Sequence, residues 1–224
     1  MADVRVEPRT LGGDRQRRRG WLRIVLRTIG IGCILAAFAI AGYLVWQQYG
    51  TSLTTKRWQS DLRSGLEAHV RRDPVSVPAE TVRIRRGAVA ILTIPRIDVD
   101  VVVVEGTDTD DLKKGPGHYE DSAYPWDDTG KVAIAGHRTT YGAPFFSLDK
   151  LRPGDAIELA TEYGTFEYEV TRLAITPPTG ILISGASVLD DTRRPSLVLT
   201  TCNPRYSAAQ RLIVFAERVE GSAT

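Results

Sequence analysis

The chain has 224 residues, 42% of them hydrophobic and 25% charged, with a formal net charge of +2 at pH 7. That near-balance hides an asymmetry: residues 1–27 carry eight arginines against Asp3, Glu7 and Asp14, whereas residues 47–224 hold 21 basic and 24 acidic side chains. No stacking or groove-reading motif accompanies the basic tail, so nucleic acid is excluded as a partner and the tail reads as a topology signal.

The stretch "TIGIGCILAAFAIAGYLVW", residues 28–46, contains no charge. At about 1.5 Å per residue a helix of this length reaches roughly 28 Å, enough to cross a bilayer. The apolar region of a cleaved signal peptide is shorter and is followed by small residues at the cleavage site; here Tyr43, Trp46 and Tyr49 follow, which suit a membrane interface. Residues 28–46 therefore read as an uncleaved signal-anchor in the cell membrane, crossed once. Residues 1–27 are its basic cytoplasmic tail, and the rest of the chain lies outside the cell. This topology separates Cys33, inside the membrane, from Cys202, outside it. Cys202 is then an unpaired thiol in an exported domain, which makes it intermolecular, buried and inert, or reactive.

Residues 47–87 read as an extracellular stalk and linker. Trp58, Leu62, Leu66 and Val70 recur at i+4 in "TTKRWQSDLRSGLEAHV", a narrow apolar stripe that predicts a short helix starting near Thr54 or Thr55. His69, beside Arg71 and Arg72, reads as a solvated side chain. The Pro- and charge-rich stretch 73–87 reads as an extended tether.

From Ala88 the texture changes to short β-branched runs with frequent turn residues. "AVAILTIPRI", "VDVVVVEG", "KVAIAGHR", two strands in "DAIELATEYGTFEYEVTRLAIT", "SLVLTTC" and "RLIVFAERVE" predict six to eight strands over 88–220. Apolar residues on both faces of "LVL" and "LIVF" indicate a small closed barrel or sandwich, all-β, large enough to hold its own core. Helix is expected only as a turn at Asp108 to Lys113 and another at Phe145 to Leu151. No internal repeat, low-complexity tract or Gly-rich phosphate loop is present.

Alternation along "SLVLTTC" puts Ser196, Val198, Thr200 and Cys202 on one side of the strand and Leu197, Leu199 and Thr201 on the other. Cys202 ends this strand, the eight residues 203–210 form a loop, and the next strand begins at Arg211. If the two strands are antiparallel neighbours, thiol and guanidinium share one rim. A thiol needs a nearby cation or base to become an effective nucleophile. Two exported histidines could serve: His137 directly after the strand "KVAIAG", and His118 in the Gly/Pro-rich "GPGHYE", with Tyr119 and Glu120 to satisfy it. His137 is favoured because a strand end holds a side chain more firmly than a loop does. The bland alternative is that Cys202 is packing material and Arg211 a surface charge.

Together, "LTTCNPRYSAAQRLIVFAE" and "GHRTTYGAPFFSLDKLRPGD" resemble the sortases, the cysteine transpeptidases of Gram-positive cell surfaces. The resemblance runs from about Ile91 to Val219 and includes "TIPRIDVDVVVVEG" and "KGPGHY". It implies an eight-stranded β-barrel with Cys202 as nucleophile, His137 as general acid or base, and Arg211 binding the substrate or stabilising its oxyanion. The family's Thr-Cys pair falls on Thr201 and Cys202, which makes Thr201 a substrate-contact candidate. Val198 stands where the family's T-L-x-T-C signature has its first Thr, and Lys131 where Asn often precedes the histidine strand; neither touches the three reactive positions. "TCNP" and "GHRTTYG" look most like class E, the housekeeping sortases of high-GC actinobacteria, with class D the nearest confusion. Class E implies an LAxTG rather than LPxTG sorting signal, with Tyr141 the candidate for that preference.

The resemblance also implies the partners: surface proteins bearing a sorting signal, and an amine of a lipid II-type peptidoglycan precursor as acceptor. No cofactor is expected. Asp108, Asp110 and Asp111 form an acidic cluster that reads as solvated, and no metal site is assigned. Two other readings compete: a non-catalytic membrane-tethered β-barrel that binds wall or protein partners, and another exported cysteine enzyme of the wall such as an L,D-transpeptidase. The latter would normally carry a Ser/Gly-rich cysteine motif, which this chain lacks.

Overall fold

A computed structural model describes residues 13–46, 50–70, 87–179 and 194–221. The chain divides into two compact units, residues 1–46 and 47–224. In the first, helix α1 (Gly13–Val45) starts well before the apolar stretch and takes in part of the basic tail. Its segment Arg23–Val45 is long and apolar enough to cross a membrane, and none of its described side chains is buried. The rest of the tail, the expected anchor Tyr49 and residues 73–86 of the tether lie outside the described residues.

The second unit is built on eight strands: β1 (Ala88–Ile94), β2 (Val99–Glu105), β3 (Gly117–His118), β4 (Lys131–Ala135), β5 (Ala156–Thr161), β6 (Gly164–Thr176), β7 (Ser196–Asn203) and β8 (Gln210–Arg218). They close into a barrel in the order β1-β2-β3-β4-β7-β8-β6-β5. The β2–β3 and β4–β7 pairs are parallel and the other pairs antiparallel. The barrel reading is thus borne out. The two expected helical turns are present as α3 (Thr109–Leu112) and a 3₁₀ turn at Leu148–Lys150. The acidic cluster is locally neutralised, Asp110 by Lys113 at 2.7 Å and Asp111 by Lys114 at 2.9 Å.

Strand alternation sorts the side chains. Leu197 and Leu199 of β7, Val132 and Ile134 of β4, and Leu212 and Val214 of β8 point into the main core. Ala133, Val198 and Ile213 form a second, small cluster with Tyr119 and Phe215 on the opposite face of the same strands. That second cluster explains why "LVL" and "LIVF" are apolar on both sides.

Strand β3 is the thinnest stave of the barrel, and the sequence shows no β pattern for it. Its two residues pair with Val104 and Glu105 on one side and with Ala135 and Ile134 on the other. Gly117 fits because a Cβ there would lie 2.0 Å from the Gly106 carbonyl oxygen. So short a strand covers only the end of β2.

The remainder of that edge is met by helix α2 (Thr51–Val70). Gln59 behaves like a length of backbone: its Oε1 accepts from Val102 N–H at 2.7 Å, and its Nε2 donates to the carbonyls of Val102 at 3.0 Å and Lys114 at 2.8 Å. Thr55 donates to the Lys113 carbonyl at 2.8 Å, and Arg63 pairs with Asp100. The helix therefore starts at Thr51, earlier than expected, and within the stretch read as a stalk it is bonded to the barrel. Its contacting face runs through Thr55, Gln59 and Leu66, while Trp58, the first residue of the predicted stripe, is 48% exposed. Polar residues face the barrel here because an open strand edge offers them hydrogen bonds.

Gln59→Ala leaves the Val102 groups unpaired next to the core, and we expect it to lower unfolding stability by about 1–3 kcal/mol. A denaturant titration of the detergent-solubilised chain, read by tryptophan fluorescence, measures this.

Candidate active site

Three neighbouring strands bring the sequence candidates together. In the antiparallel β7–β8 ladder Cys202 is paired directly with Arg211, and Asn203 with Gln210. The ladder runs one pair further than expected, so the connecting loop is 204–209 rather than 203–210. Cys202 follows Val198 and Thr200 on the outer face of β7, and Arg211 precedes Ile213 and Phe215 on the outer face of β8. On the other side of β7, the parallel β4 ladder matches Ala135 with Thr200, and Gly136 N–H donates to the Thr200 carbonyl at 3.0 Å. His137 lies two residues past Ala135, as Cys202 lies two past Thr200. Histidine, cysteine and arginine therefore occupy one end of β4, β7 and β8, on the outside of the barrel.

Gly136 has a reason beyond backbone freedom. A Cβ there would sit 2.5 Å from a ring carbon of Phe145, which is fully buried. The loop from His137 to Phe145 closes back on itself, Phe145 N–H donating to the His137 carbonyl at 3.2 Å. At its tip Tyr141, Gly142 and Ala143 all have positive φ, at 52°, 79° and 47°. Left-handed backbone costs a residue with a side chain roughly 1–2 kcal/mol, so surrounding contacts must hold this turn. One comes from α2, where Thr51 Oγ1 accepts from Tyr141 N–H at 3.3 Å.

Within that turn the Tyr141 ring lies 4.9 Å from the His137 ring, tilted by 36°. His137 is half-buried, and its Nε2 is shielded from solvent without a hydrogen-bond partner among the described residues. Burial disfavours the imidazolium and lowers the histidine's pKa below its ordinary 6.5. Cys202 is half-buried and free, as is the exposed Cys33 free of any disulfide. Arg211 is half-buried and donates through Nη1 to the carbonyls of Ala208 and Gln210, both at 3.0 Å.

Thr201 is placed differently from its expected substrate-contact role. It is buried, pointing away from the Cys202 face, and its hydroxyl donates to the Gly136 carbonyl at 2.7 Å. That bond joins β7 to β4 beneath the site.

His118 is committed elsewhere. It is wholly buried, its Nδ1 lies 3.2 Å from both carboxylate oxygens of Glu105, and its Nε2 lies 2.9 Å from the Ala123 carbonyl. A carbonyl only accepts, so Nε2 carries the hydrogen directed at Ala123. The ring stacks on Tyr124 at 4.7 Å. Its partners are thus Glu105 and Ala123, together with the Ser122 hydroxyl at 3.0 Å, in place of the expected Tyr119 and Glu120.

The sequence reading missed three charged residues at the site. Arg138 is only 4% exposed and donates to the Cys202 carbonyl at 3.1 Å and to Asn203 Oδ1 at 2.6 Å. It also pairs with Asp149 at 3.1 Å, and Asp149 takes Arg205 at 2.8 Å. The signal for Arg138 was available: next to an outward His137, it turns the other way, and a charge turned inward needs partners.

A closed barrel carrying a cysteine, a histidine and an arginine on one outer lip is a scaffold for thiol chemistry at the protein surface. Residues 92–219 match the Sortase domain family, and the chain belongs to the sortase family. It is 31% identical to Sortase SrtE1 of Streptomyces coelicolor over 225 residues, covering 92% of this chain and 60% of that protein. With Sortase D of Bacillus subtilis it shares 39% identity over 135 residues, covering 59% of this chain and 64% of that one; the chain thus spans less than two thirds of the length of either relative. Among solved structures, a Clostridium perfringens Sortase D5 transpeptidase superposes with a TM-score of 0.58 at 27% identity, over 75% of this chain and 99% of that one. Sortase E1 from Streptomyces coelicolor, with a tripeptide in its active site, gives 0.52 at 33% identity, over 59% and 88%.

The two histidines should separate in stability measurements. His118→Leu strands a buried carboxylate and should cost about 3–5 kcal/mol, whereas His137→Ala removes a half-buried ring with an unpaired nitrogen and should change the melting midpoint little. Thermal unfolding by circular dichroism compares them.

Proposed function

We propose that the chain is a membrane-anchored cysteine transpeptidase that cuts a Thr-Gly bond in an LAxTG- or LPxTG-like sorting signal and joins the released carbonyl to a cell-wall amine. The observation that carries this reading is the Cys202–Arg211 ladder pair with His137 at the adjoining strand end. Family membership supports it, as does the name of the Clostridium perfringens neighbour, a transpeptidase.

Cys202 Sγ, as thiolate, attacks the carbonyl carbon of the threonine. The carbon–nitrogen bond to glycine breaks, His137 delivers a proton to the departing amine, and a thioester remains. The acceptor amine then attacks the thioester carbonyl, His137 takes its proton, and the thiolate leaves as the new amide forms. Arg211, held on the loop carbonyls, offers its remaining N–H groups to the carbonyl oxygen as it gains charge. The acceptor is an amine of a lipid II-type peptidoglycan precursor. The N-terminus lies in the cytoplasm, residues 28–46 cross the membrane, and the barrel works outside.

Class E is favoured over class D by "GHRTTYG" and "TCNP" and by the extended match to Sortase SrtE1. Tyr141, beside His137, is then the side chain that biases the site toward the smaller LAxTG signal. Thr201 acts by bracing β7 against β4.

The test uses the full chain in detergent with LAxTG and LPxTG peptides and a panel of amines. Wild type should form the amide product, and Cys202→Ala should form neither thioester nor product while keeping its circular dichroism spectrum; turnover by that variant removes the nucleophile assignment. The pH dependence is a second check. Because burial lowers the pKa of His137, the acid limb of kcat/KM should fall with a midpoint below 6.5. Tyr141→Ala lets water reach the ring and should move that limb up toward the ordinary value of about 6.5.

A further inference from the structure

We infer that Arg138 is the positioning residue of this site, fixing Cys202 relative to His137 through its guanidinium, with Asp149 as the clamp that holds it. The inference rests on the reading of Cys202 and His137 as the reacting pair.

The β4–β7 ladder ends just short of the chemistry, at Ala135 with Thr200 and at the bond from Gly136 to the Thr200 carbonyl. The Arg138 side chain continues the connection. One Nη1 reaches both the Cys202 carbonyl and the Asn203 side chain, 64 and 65 residues away along the chain. It therefore grips the backbone of the thiol-bearing residue from the position adjoining the imidazole. A planar fork suits this task, because two nitrogens can be fixed in direction at once; an ammonium cannot do the same.

Asp149 makes the arrangement rigid. Its carboxylate stands on the 3₁₀ turn between Arg138 and Arg205. Arg205 belongs to the loop that follows Cys202, donates to the Phe146 carbonyl at 3.1 Å and lies over the Phe146 ring at 4.4 Å. One carboxylate thus ties the residue after His137 to the loop after Cys202. Partial burial pushes the Asp149 carboxyl up, but the Arg205 hydrogen bond and the charges of Arg138 and Arg205 outweigh it and hold the group below the usual carboxylate range. The clamp is accordingly charged at any pH where the chemistry runs.

The experiment uses the full chain carrying Cys33→Ser, so that Cys202 is the one thiol, with Arg138→Gln, Asp149→Asn and the double variant. Arg138→Gln should lower kcat about 100-fold with KM changed little, since a misplacement of about 1 Å is enough for that loss. Asp149→Asn should lose about tenfold, and the double variant should be no worse than Arg138→Gln alone, because the carboxylate acts through the guanidinium. Independently of any peptide, the rate of iodoacetamide alkylation of Cys202 should change by more than about twofold in Arg138→Gln, because the backbone that presents the thiol is no longer held. A folded Arg138→Gln whose kcat and alkylation profile both stay within about twofold of wild type would overturn the inference, as would losses that multiply in the double variant. If Arg138→Gln does not fold, Arg138→Lys and Asp149→Asn carry the same comparison. Failure of the underlying reading shows separately, as turnover by Cys202→Ala.

Discussion

The site depends on the register of β7 between its two neighbours. A parallel ladder to β4 and an antiparallel ladder to β8 place Cys202 across from Arg211 and level with the continuation toward His137. Side chains alternate at every residue along a strand, so a slip of one position on β7 would turn the thiol inward and bring Thr201 to the surface. The register is fixed by burial: Leu197 and Leu199 point into the main core while Val198 fills the outer cluster. Apolar packing many ångströms from the thiol thus decides which way the thiol faces.

Closing the barrel brings a second constraint. With only Gly117 and His118 as a stave between β2 and β4, the sheet leaves polar groups at its seam, and side chains answer several of them. Glu105 and His118 satisfy one another inside, and Gln59 meets the Val102 backbone from α2. The helix that follows the apolar N-terminal segment is therefore part of the barrel's hydrogen bonding. Through Thr51 it also touches the backbone of Tyr141. The left-handed turn beside His137 is supported from a part of the chain about 90 residues earlier.

Much of this was legible in the sequence, and the exceptions have a common cause. Regular alternation made β1, β2 and β4 to β8 readable, and the strand-end position of His137 and the spacing of Cys202 and Arg211 followed from it. What escaped was every feature where a polar residue takes over from backbone. β3 has no propensity signal because its pairing is imposed by neighbours, and Gly117 is there for lack of space. Gln59 and Thr55 do not look like a packing face, since hydropathy counts them as solvent-facing; the open edge of β2 gives them partners that a helical wheel cannot show. Arg138 looked like one basic residue among many, although its place after an outward-facing strand end turns it toward the protein. Thr201 was assigned from a motif, and alternation alone would have put it on the inward side.

Under the proposed reaction, the resting protonation of His137 follows from where the ring sits. Half-buried against Tyr141, it is mostly neutral at neutral pH. A neutral imidazole is a proton acceptor, and each acyl transfer requires one at its start: the thiol must give up a proton before it attacks, and the acceptor amine must lose one as it attacks. The proton taken from the thiol is the one returned to the departing glycine amine, so no outside acid is needed in the first transfer. Arg211, directly across the ladder from Cys202, lies on the same outer face as the thiol. Burial at the histidine therefore readies the base that each transfer needs.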